Sequence, residues 1–207
     1  MNLDFARRRI IYSDPPIARL FFADTRMSWL WLIVRLYVGY VWISSGAGKL
    51  GNPAWTQTGA ALQGFWTRAI QVPADASPPI TFSWYRDFIA FLLNTGSYVW
   101  FAKLITAAEL AIGIALVLGA FVGIAAFFGG FMNFNFLMAG VASINPLIFT
   151  LSIFLILAWK TAGYLGLDYF LLPLLGTPWR PGAAFSRSMR HGPPGEERGR
   201  DESDRAA

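Results

Sequence analysis

The stretch WLWLIVRLYVGYVWISSGAGKL, residues 29–50, decides the predicted fold of this chain. A run of about 20 apolar residues at ~1.5 Å each crosses the ~30 Å hydrocarbon core of a bilayer, and this stretch has that length. It nevertheless carries Arg35 in its interior and Lys49 near its end. An arginine that faces lipid costs from ~2.5 to more than 10 kcal/mol. We therefore expect a membrane-crossing helix whose polar side faces other protein or a water-filled cavity.

The polar side of this helix is a single stripe of charged, small and aromatic residues. At ~100° per residue its members fall within about ±40° of one line. They are Arg35, Gly39, Trp42, Gly46 and Lys49. The rest of the helix surface consists of Leu, Ile, Val, Tyr and Trp, which is typical of a lipid-facing surface.

Composition indicates the same class of protein. Of the 207 residues, 55% are hydrophobic and 14% are charged, whereas a soluble domain carries about 25% charged residues. Cysteine is absent and the single histidine, His191, lies in a polar tail, so we expect no haem, iron–sulfur or metal site in this chain. The net charge of +5 is concentrated at the two ends, which is a topology signal and not a nucleic-acid signal.

The predicted fold class is all-α, an integral membrane four-helix bundle with interfacial helices in the long loop after the first span. The four spans are expected at about 29–50, 98–119, 121–142 and 146–163. The outer loop covers residues 51–97, and its apolar spacing predicts helices over 54–70 and 82–93 that are too short to span.

Three regions follow from this division. Residues 1–27 form a basic arm, residues 28–170 form the membrane domain, and residues 171–207 form a polar, mostly disordered tail. Residues 164–176, at the boundary between the membrane domain and the tail, are apolar but short, which predicts an interfacial segment. The first apolar run is too long for a signal peptide and follows a polar stretch, so we expect it to be retained.

Lys and Arg counts predict the topology. Basic residues cluster before the first span and after the fourth, and they are sparse in the long loop. The expected location is therefore the cytoplasmic membrane, crossed several times, with both termini in the cytoplasm and residues 51–97 outside.

Glu109 is the sharpest candidate for a functional role. It lies near the centre of the second span, where a carboxylate must be paired or protonated. Its predicted depth lies between those of Lys49 and Arg35, so a pair of Glu109 with Arg35 would be either direct but stretched, or bridged by a water molecule or Asn133. Two interpretations stay open: a structural ion pair that holds the bundle together, or a polar site for a quinone or a proton path. Lys49 either extends to the outer interface or joins that site.

Asn133 lies in the third span on a face that it shares with Gly129. It either forms hydrogen bonds between helices or contributes to the same site. The candidate quinone or proton site thus comprises Arg35, Lys49, Glu109 and Asn133. The sequence contains no Walker A, Rossmann, HExxH or GxSxG motif, so any redox role requires a bound organic carrier or a partner.

These motifs, taken in order, resemble the DoxX/DoxD family of four-helix membrane proteins. The first span is similar in its pattern Arg35-x3-Gly39-x6-Gly46-x2-Lys49-Leu50. The later spans are similar in the following residues: Glu109, Gly113, Leu116, Leu118, Gly119, Met132, Asn133, the stretch 145–147 and the stretch 158–169. The aromatic loop with Trp84-Tyr85 resembles the DoxD branch, the small subunit of thiosulfate:quinone oxidoreductase.

The resemblance implies a membrane subunit that passes electrons from thiosulfate, or another reduced sulfur compound, to a membrane quinone. It implies as partners the lipid bilayer, the quinone and a second oxidoreductase subunit, with no nucleic acid. The alternative is a non-catalytic anchor or scaffold for a soluble redox or stress-defence partner. A small-solute transporter is less favoured, because the chain has no internal repeat and no matched broken helices.

Overall fold

The computed structural model describes residues 14–176, which form nine α-helices and one 3₁₀ turn and contain no β-strand. The 3₁₀ turn covers Thr25–Met27. The helices are α1 Pro16–Ala23, α2 Ser28–Leu50, α3 Pro53–Thr56, α4 Ala60–Ala69, α5 Ser83–Asn94, α6 Tyr98–Leu118, α7 Val122–Met138, α8 Asn145–Leu157 and α9 Asp168–Leu175. Residues 1–13 of the expected arm and residues 177–207 of the expected tail lie outside the described residues.

Helices α2, α6, α7 and α8 pack side by side in alternating directions. Helix α2 packs along α6, α7 packs along α8, and α6 and α7 are joined by the short turn at residues 119–121. The buried core between them contains Trp31, Val38, Trp42, Ile112, Leu116, Val122, Ala125, Ala126, Ile148, Leu155, Ala158 and Ala162. Both ends of the described chain lie at one end of these helices, where the Thr161 hydroxyl donates to the carbonyl of Phe22 at 3.4 Å.

A second apolar cluster closes the opposite end of the four helices, as expected for the long loop. Helices α4 and α5 bury Leu62, Trp66 and Ile89 against the N-terminal half of α6. The Tyr85 hydroxyl of α5 donates to the backbone and side-chain oxygens of Asn135, both at 3.2 Å, and ties this cap to α7.

Two of the predicted spans end earlier than expected. Helix α7 ends at Met138 and not at residue 142, because Gly140 adopts a φ of 83° and the amide of Val141 turns back to the carbonyl of Phe136. Helix α8 ends at Leu157 and not at residue 163. The residues that follow form turns, which fold over the end of α6 through the hydrogen bond from Leu167 N to Leu118 O.

Smaller differences concern the short helices. The predicted helix over 54–70 is divided into α3 and α4, because Gly59 has a φ of 71° and its left-handed backbone interrupts the helix. Helix α9 lies in the predicted interfacial segment 164–176 and includes residues 171–175, at the start of the predicted tail.

Two helices of the described part are long and apolar enough to cross a membrane by length and composition. One is the helical stretch Thr25–Leu50, with a mean hydropathy of 1.3, and the other is α6, with a mean hydropathy of 2.0. Helices α7 and α8 are also apolar but shorter. Of the apolar window in each of these helices, 33% and 39% respectively is buried inside the rest of the chain, so the larger share of each window is half-buried or exposed.

Candidate functional site

The centre of the site is an ion pair between Lys49 of α2 and Glu109 of α6. The Lys49 ammonium lies 2.6 Å from Glu109 Oε2 and 2.8 Å from Oε1, and it also donates to Ser45 Oγ at 2.7 Å. The Glu109 side chain is 1% exposed and that of Lys49 is 18% exposed. The ammonium therefore has three acceptor atoms within hydrogen-bond distance. The Lys49 side chain points inward and does not extend away from the bundle.

Small residues set the close approach of α2 and α6 that makes this pair possible. A Cβ at Gly46 would lie 2.7 Å from the Leu110 side chain, and one at Gly113 would lie 2.7 Å from the backbone N of Ile43. Because both distances are too short for real carbon atoms, glycine is required at both positions. The close contact at Gly46 and Gly113 therefore fixes the register at which Lys49 meets Glu109.

Arg35 has different partners. Its guanidinium donates to the carbonyls of Leu116 at 3.0 Å and Val117 at 3.3 Å, at the end of α6, and to the carbonyl of Leu165. The side chain is 1% exposed. The carbonyls of Leu116 and Val117 lie in the last turn of α6, where the helix carries partial negative charge, so a buried cation is favourable there. Arg35 thus binds the backbone carbonyls at the C-terminal end of α6, an arrangement that we call the Arg35 closure of α6.

Asp168 plays the matching role for the next helix. Its carboxylate accepts from the amides of Phe121 at 2.6 Å and Val122 at 2.9 Å, the first amides of α7. Burial raises the pKa of the Asp168 carboxyl, while the two amides and the nearby Arg35 charge act in the opposite direction. The turn between α6 and α7 is therefore held by a cation at one helix end and an anion at the other.

Three further polar side chains lie in the bundle core without a partner among the described residues. They are the indole N–H of Trp42, the amide nitrogen of Asn133 and the hydroxyl of Ser152, each on a different helix. All three residues are at most 3% exposed. An unpaired buried polar group costs about 1–3 kcal/mol, so this set needs a physical reason.

These groups lie at neighbouring heights along the bundle. A Cβ at Gly129 would lie 3.1 Å from Trp42 Nε1 and 3.3 Å from Ile112, so these residues meet at one level. One turn further toward the cap, α6 presents Glu109 and α7 presents Asn133, because the two helices run in opposite directions. The Lys49–Glu109 pair is therefore within about one or two helical turns, in height, of the three unpaired groups, which we call the polar layer (Trp42, Asn133 and Ser152).

The four predicted site residues do not form one cluster. Lys49 and Glu109 are in contact, and Asn133 lies at the height of Glu109. Arg35 is 14 residues before Lys49 on the same helix, which corresponds to ~21 Å. The pairing of Glu109 that the sequence left open is thus made by Lys49 and not by Arg35. Of the two interpretations of Asn133, a hydrogen bond between helices from its amide nitrogen is not found in residues 14–176.

Sequence reasoning missed several members of these groups. Ser45 lies four residues before Lys49, which is the spacing of neighbours on a helix face and is a usable signal. Asp168 lies in the predicted interfacial segment, and its amide partners lie 46 and 47 residues away, so no local pattern predicts them. Ser152 lies in an apolar run, where a single serine is a weak signal.

No cluster of three or more metal-ligating side chains occurs within residues 14–176. Compared with known proteins, the chain matches no family model, no curated protein and no solved structure. The DoxX/DoxD resemblance therefore stays a prediction from the motifs.

Proposed function

We propose that this chain is an integral membrane protein with four crossings, and that it serves as the membrane subunit of a quinone-linked oxidoreductase of the thiosulfate:quinone type. The head group of the quinone would bind beside the Lys49–Glu109 pair. Arg35, which the sequence grouped with this site, is assigned to the structural closure of α6.

The outward surface of the helices supports a bilayer as solvent. Large apolar side chains that are about half exposed or more occur on α2, α6 and α7, as at Ile33, Leu104, Phe127 and Phe131. A soluble monomer rarely exposes contiguous apolar patches of more than a few hundred Å². At 17 residues, α7 has a length of ~26 Å, close to the hydrocarbon core, and α8 is prolonged by the turns that follow it.

The common position of the two described chain ends supports the proposed topology. Alternating helices bring both ends to the Arg35 end of the bundle, and the cap of α3, α4 and α5 lies at the other end. The basic residues near the chain ends would then lie in the cytoplasm, as the distribution of Lys and Arg favours.

One observation carries the functional part of the proposal: the same apolar core contains a buried carboxylate–ammonium pair and, at neighbouring heights, unpaired buried donors. Transfer of two charges out of water costs several kcal/mol per ion, and a hydrophobic pair of similar size often gives equal stability. Ionisable groups inside membranes are therefore functional candidates by default. The indole of Trp42 and the amide of Asn133 are donors, which suits the carbonyl oxygens of a quinone.

The roles of the chain's own residues follow from these contacts. Trp42 and Asn133 would donate to a head-group oxygen and orient it. Glu109 would hold or release a proton, with the Lys49 ammonium stabilising its charged form and Ser45 Oγ accepting from that ammonium. A quinone, when bound, supplies the two-electron acceptor chemistry that the chain lacks, and the electrons would come from the second subunit.

The test is thiosulfate-dependent quinone reduction in membranes that contain the chain and its partner. Glu109→Gln keeps the shape of the side chain and removes its charge, and it should lower the rate at least tenfold. The matched control is Lys103→Gln, a charge change at an exposed position of the same helix. A folded Glu109→Gln protein with wild-type activity would remove Glu109 from the proposed site.

The second candidate is a non-catalytic anchor for a soluble redox or stress-defence partner. It is favoured by the fact that both oxygens of Glu109 are already bound to Lys49, as in a purely structural ion pair. Co-purification of a partner, combined with full activity of the Glu109→Gln variant, would support this alternative.

A further inference from the structure

A cavity of about 530 Å³ lies at the Arg35 end of the bundle, away from the Lys49–Glu109 pair. It is formed between the 3₁₀ turn after α1, the turn after α8 and helix α9. Its walls include Trp159, Lys160, Tyr164, Tyr169 and Leu172. A cavity of this size accommodates a drug-sized ligand or the head group and first carbons of a lipid.

A second cavity of about 480 Å³ adjoins the first and shares Ala23 and Thr25 with it. Its lining adds Arg19 and Arg26. Arg26 is bound to Asp24 at 2.7 Å, whereas Arg19 and Lys160 have no carboxylate partner within the described residues. Two cations that have no carboxylate partner within residues 14–176 thus border these neighbouring cavities, which together we call the recess.

The acidic groups in these walls are already engaged. Asp168 is 2% exposed and its two oxygens accept the amides of Phe121 and Val122. Asp24 is paired with Arg26. The charge offered to a ligand is therefore positive.

The recess combines this charge with an apolar side. Lys160 Nζ lies 5.7 Å from the centre of the Trp159 ring, so the charge is held over an aromatic face. Pro173 and Leu172 line the same cavity, and Leu157 and Phe154, which precede the cavity residue Trp159 in the chain, are exposed on α8. Charge at one side and apolar surface at the other match an amphiphile.

We propose that this recess binds an anionic phospholipid, with its phosphate between Lys160 and Arg19 and its acyl chains along α9 and α8. The assignment rests on the proposed membrane placement and is independent of the proposed quinone activity. Free phosphate offers the same anionic chemistry but no acyl chain, so the two sources are separable.

The test uses the full chain in nanodiscs of neutral phosphatidylcholine, with and without phosphatidylglycerol, and native mass spectrometry to count retained lipids. Wild type should retain phosphatidylglycerol in preference to phosphatidylcholine. Lys160→Gln and Arg19→Gln should each weaken this retention about fivefold, the change expected for one basic residue near an anionic surface. The control Lys103→Gln removes the same charge at the opposite end and should leave retention unchanged.

A second variant tests the shape of the recess without altering its charge. Ala23→Phe places a ring in the wall that the two cavities share and should also reduce retention. Equal retention of the two lipids, equal effects of Lys160→Gln and Lys103→Gln, or displacement of the lipid by inorganic phosphate would overturn the proposal. Loss of lipid preference with intact quinone reduction, or the reverse, would separate this inference from the proposed function.

Discussion

The ammonium of Lys49 and the carboxylate of Glu109, 60 residues apart in the chain, lie 2.6 Å from each other inside a helix bundle. The pair joins the end of α2 to the middle of α6 at a point where glycines bring the helices into contact. It fixes the register of these helices, and it is the one ion pair found between two helices in the described part of the chain.

Removal of one member of this pair should be more harmful than removal of both. Lys49→Met leaves the Glu109 charge buried without a partner, and it should lower the free energy of unfolding by about 3–5 kcal/mol. The double variant Lys49→Met/Glu109→Leu should recover most of this loss. Denaturant unfolding in detergent micelles measures the cycle, with Lys103→Met as the exposed control. A Lys49→Met variant as stable as Lys103→Met would contradict the buried pair.

Gly119 should not tolerate a side chain. It has a φ of 67°, and a Cβ at this position would collide with the Arg35 guanidinium. Gly119→Ala should therefore cost about 1–3 kcal/mol of unfolding free energy through backbone strain. Gly48→Ala is the matched control, because a Cβ there meets open space within α2 and should stabilise the helix by about 0.5–1 kcal/mol. Equal effects of the two variants would argue against the Arg35 closure.

Asp168→Ala should destabilise the start of α7. It removes the acceptor for the amides of Phe121 and Val122, and the loss of such a cap costs about 0.5–2 kcal/mol. Asp168→Asn keeps one oxygen and should fall between wild type and the alanine variant. Hydrogen exchange of the α7 amides measures the effect, with the exposed Asp87→Ala as control. Unchanged protection at Phe121 and Val122 would contradict the assignment.

Alkaline pH should loosen the cap. Burial raises the pKa of the Tyr85 phenol above its ordinary value of 10, so the folded protein favours the neutral form. The contribution of Tyr85 to stability is complete below pH 10, and it is lost as the pH rises through the higher pKa of the folded state. Tyr85→Phe should cost about 0.5–1.5 kcal/mol of unfolding free energy at neutral pH through the lost hydrogen bond. As the pH rises above 10, the stability of this variant should fall less steeply than that of the wild type. Thermal unfolding against pH for both proteins tests this, and parallel curves would refute it.

Ser152→Ala tests whether the polar layer is unpaired in the purified protein. A buried hydroxyl without a partner is unfavourable, so its removal should raise the free energy of unfolding by about 1 kcal/mol. The control is Ser83→Ala, at an exposed helix start. Ser143 is not used for this purpose because it has a φ of 38°, where alanine would be strained. A loss of stability in Ser152→Ala would mean that the hydroxyl has a partner in solution.

The helices and the inward position of Arg35 and Glu109 were predictable because both follow from local signals. A charge in an apolar run must be sheltered, and helical periodicity identifies which residues share its face. The partner of Glu109 was not predictable, because it depends on the relative height of two helices that are joined by a long loop. A shift of one residue along a helix changes the height of a side chain by only ~1.5 Å. The long Lys49 side chain also extends from its predicted depth to the height of Glu109, so depth alone does not identify the partner.

The ends of α7 and α8 were misplaced for a different reason. Composition stays apolar through Val141 after α7 and through Trp159 after α8, so hydropathy alone gives no stop signal where these helices end. The helices end where backbone geometry changes, at the left-handed Gly140 and in the turns that supply Leu165 O to Arg35. The role of Asp168 likewise depends on tertiary contacts that no local pattern contains.

The proposed membrane placement requires a bundle that turns its ionic groups inward and its apolar surface toward lipid. Because the sequence contains no cysteine, single cysteines can be introduced and spin-labelled without further changes. In bilayers, labels at Ile114 and Phe127 should be accessible to oxygen and protected from a water-soluble nickel chelate, and a label at the buried Ala102 should be protected from both. Strong collision of the nickel chelate with the labels at positions 114 and 127 would contradict the membrane-embedded bundle.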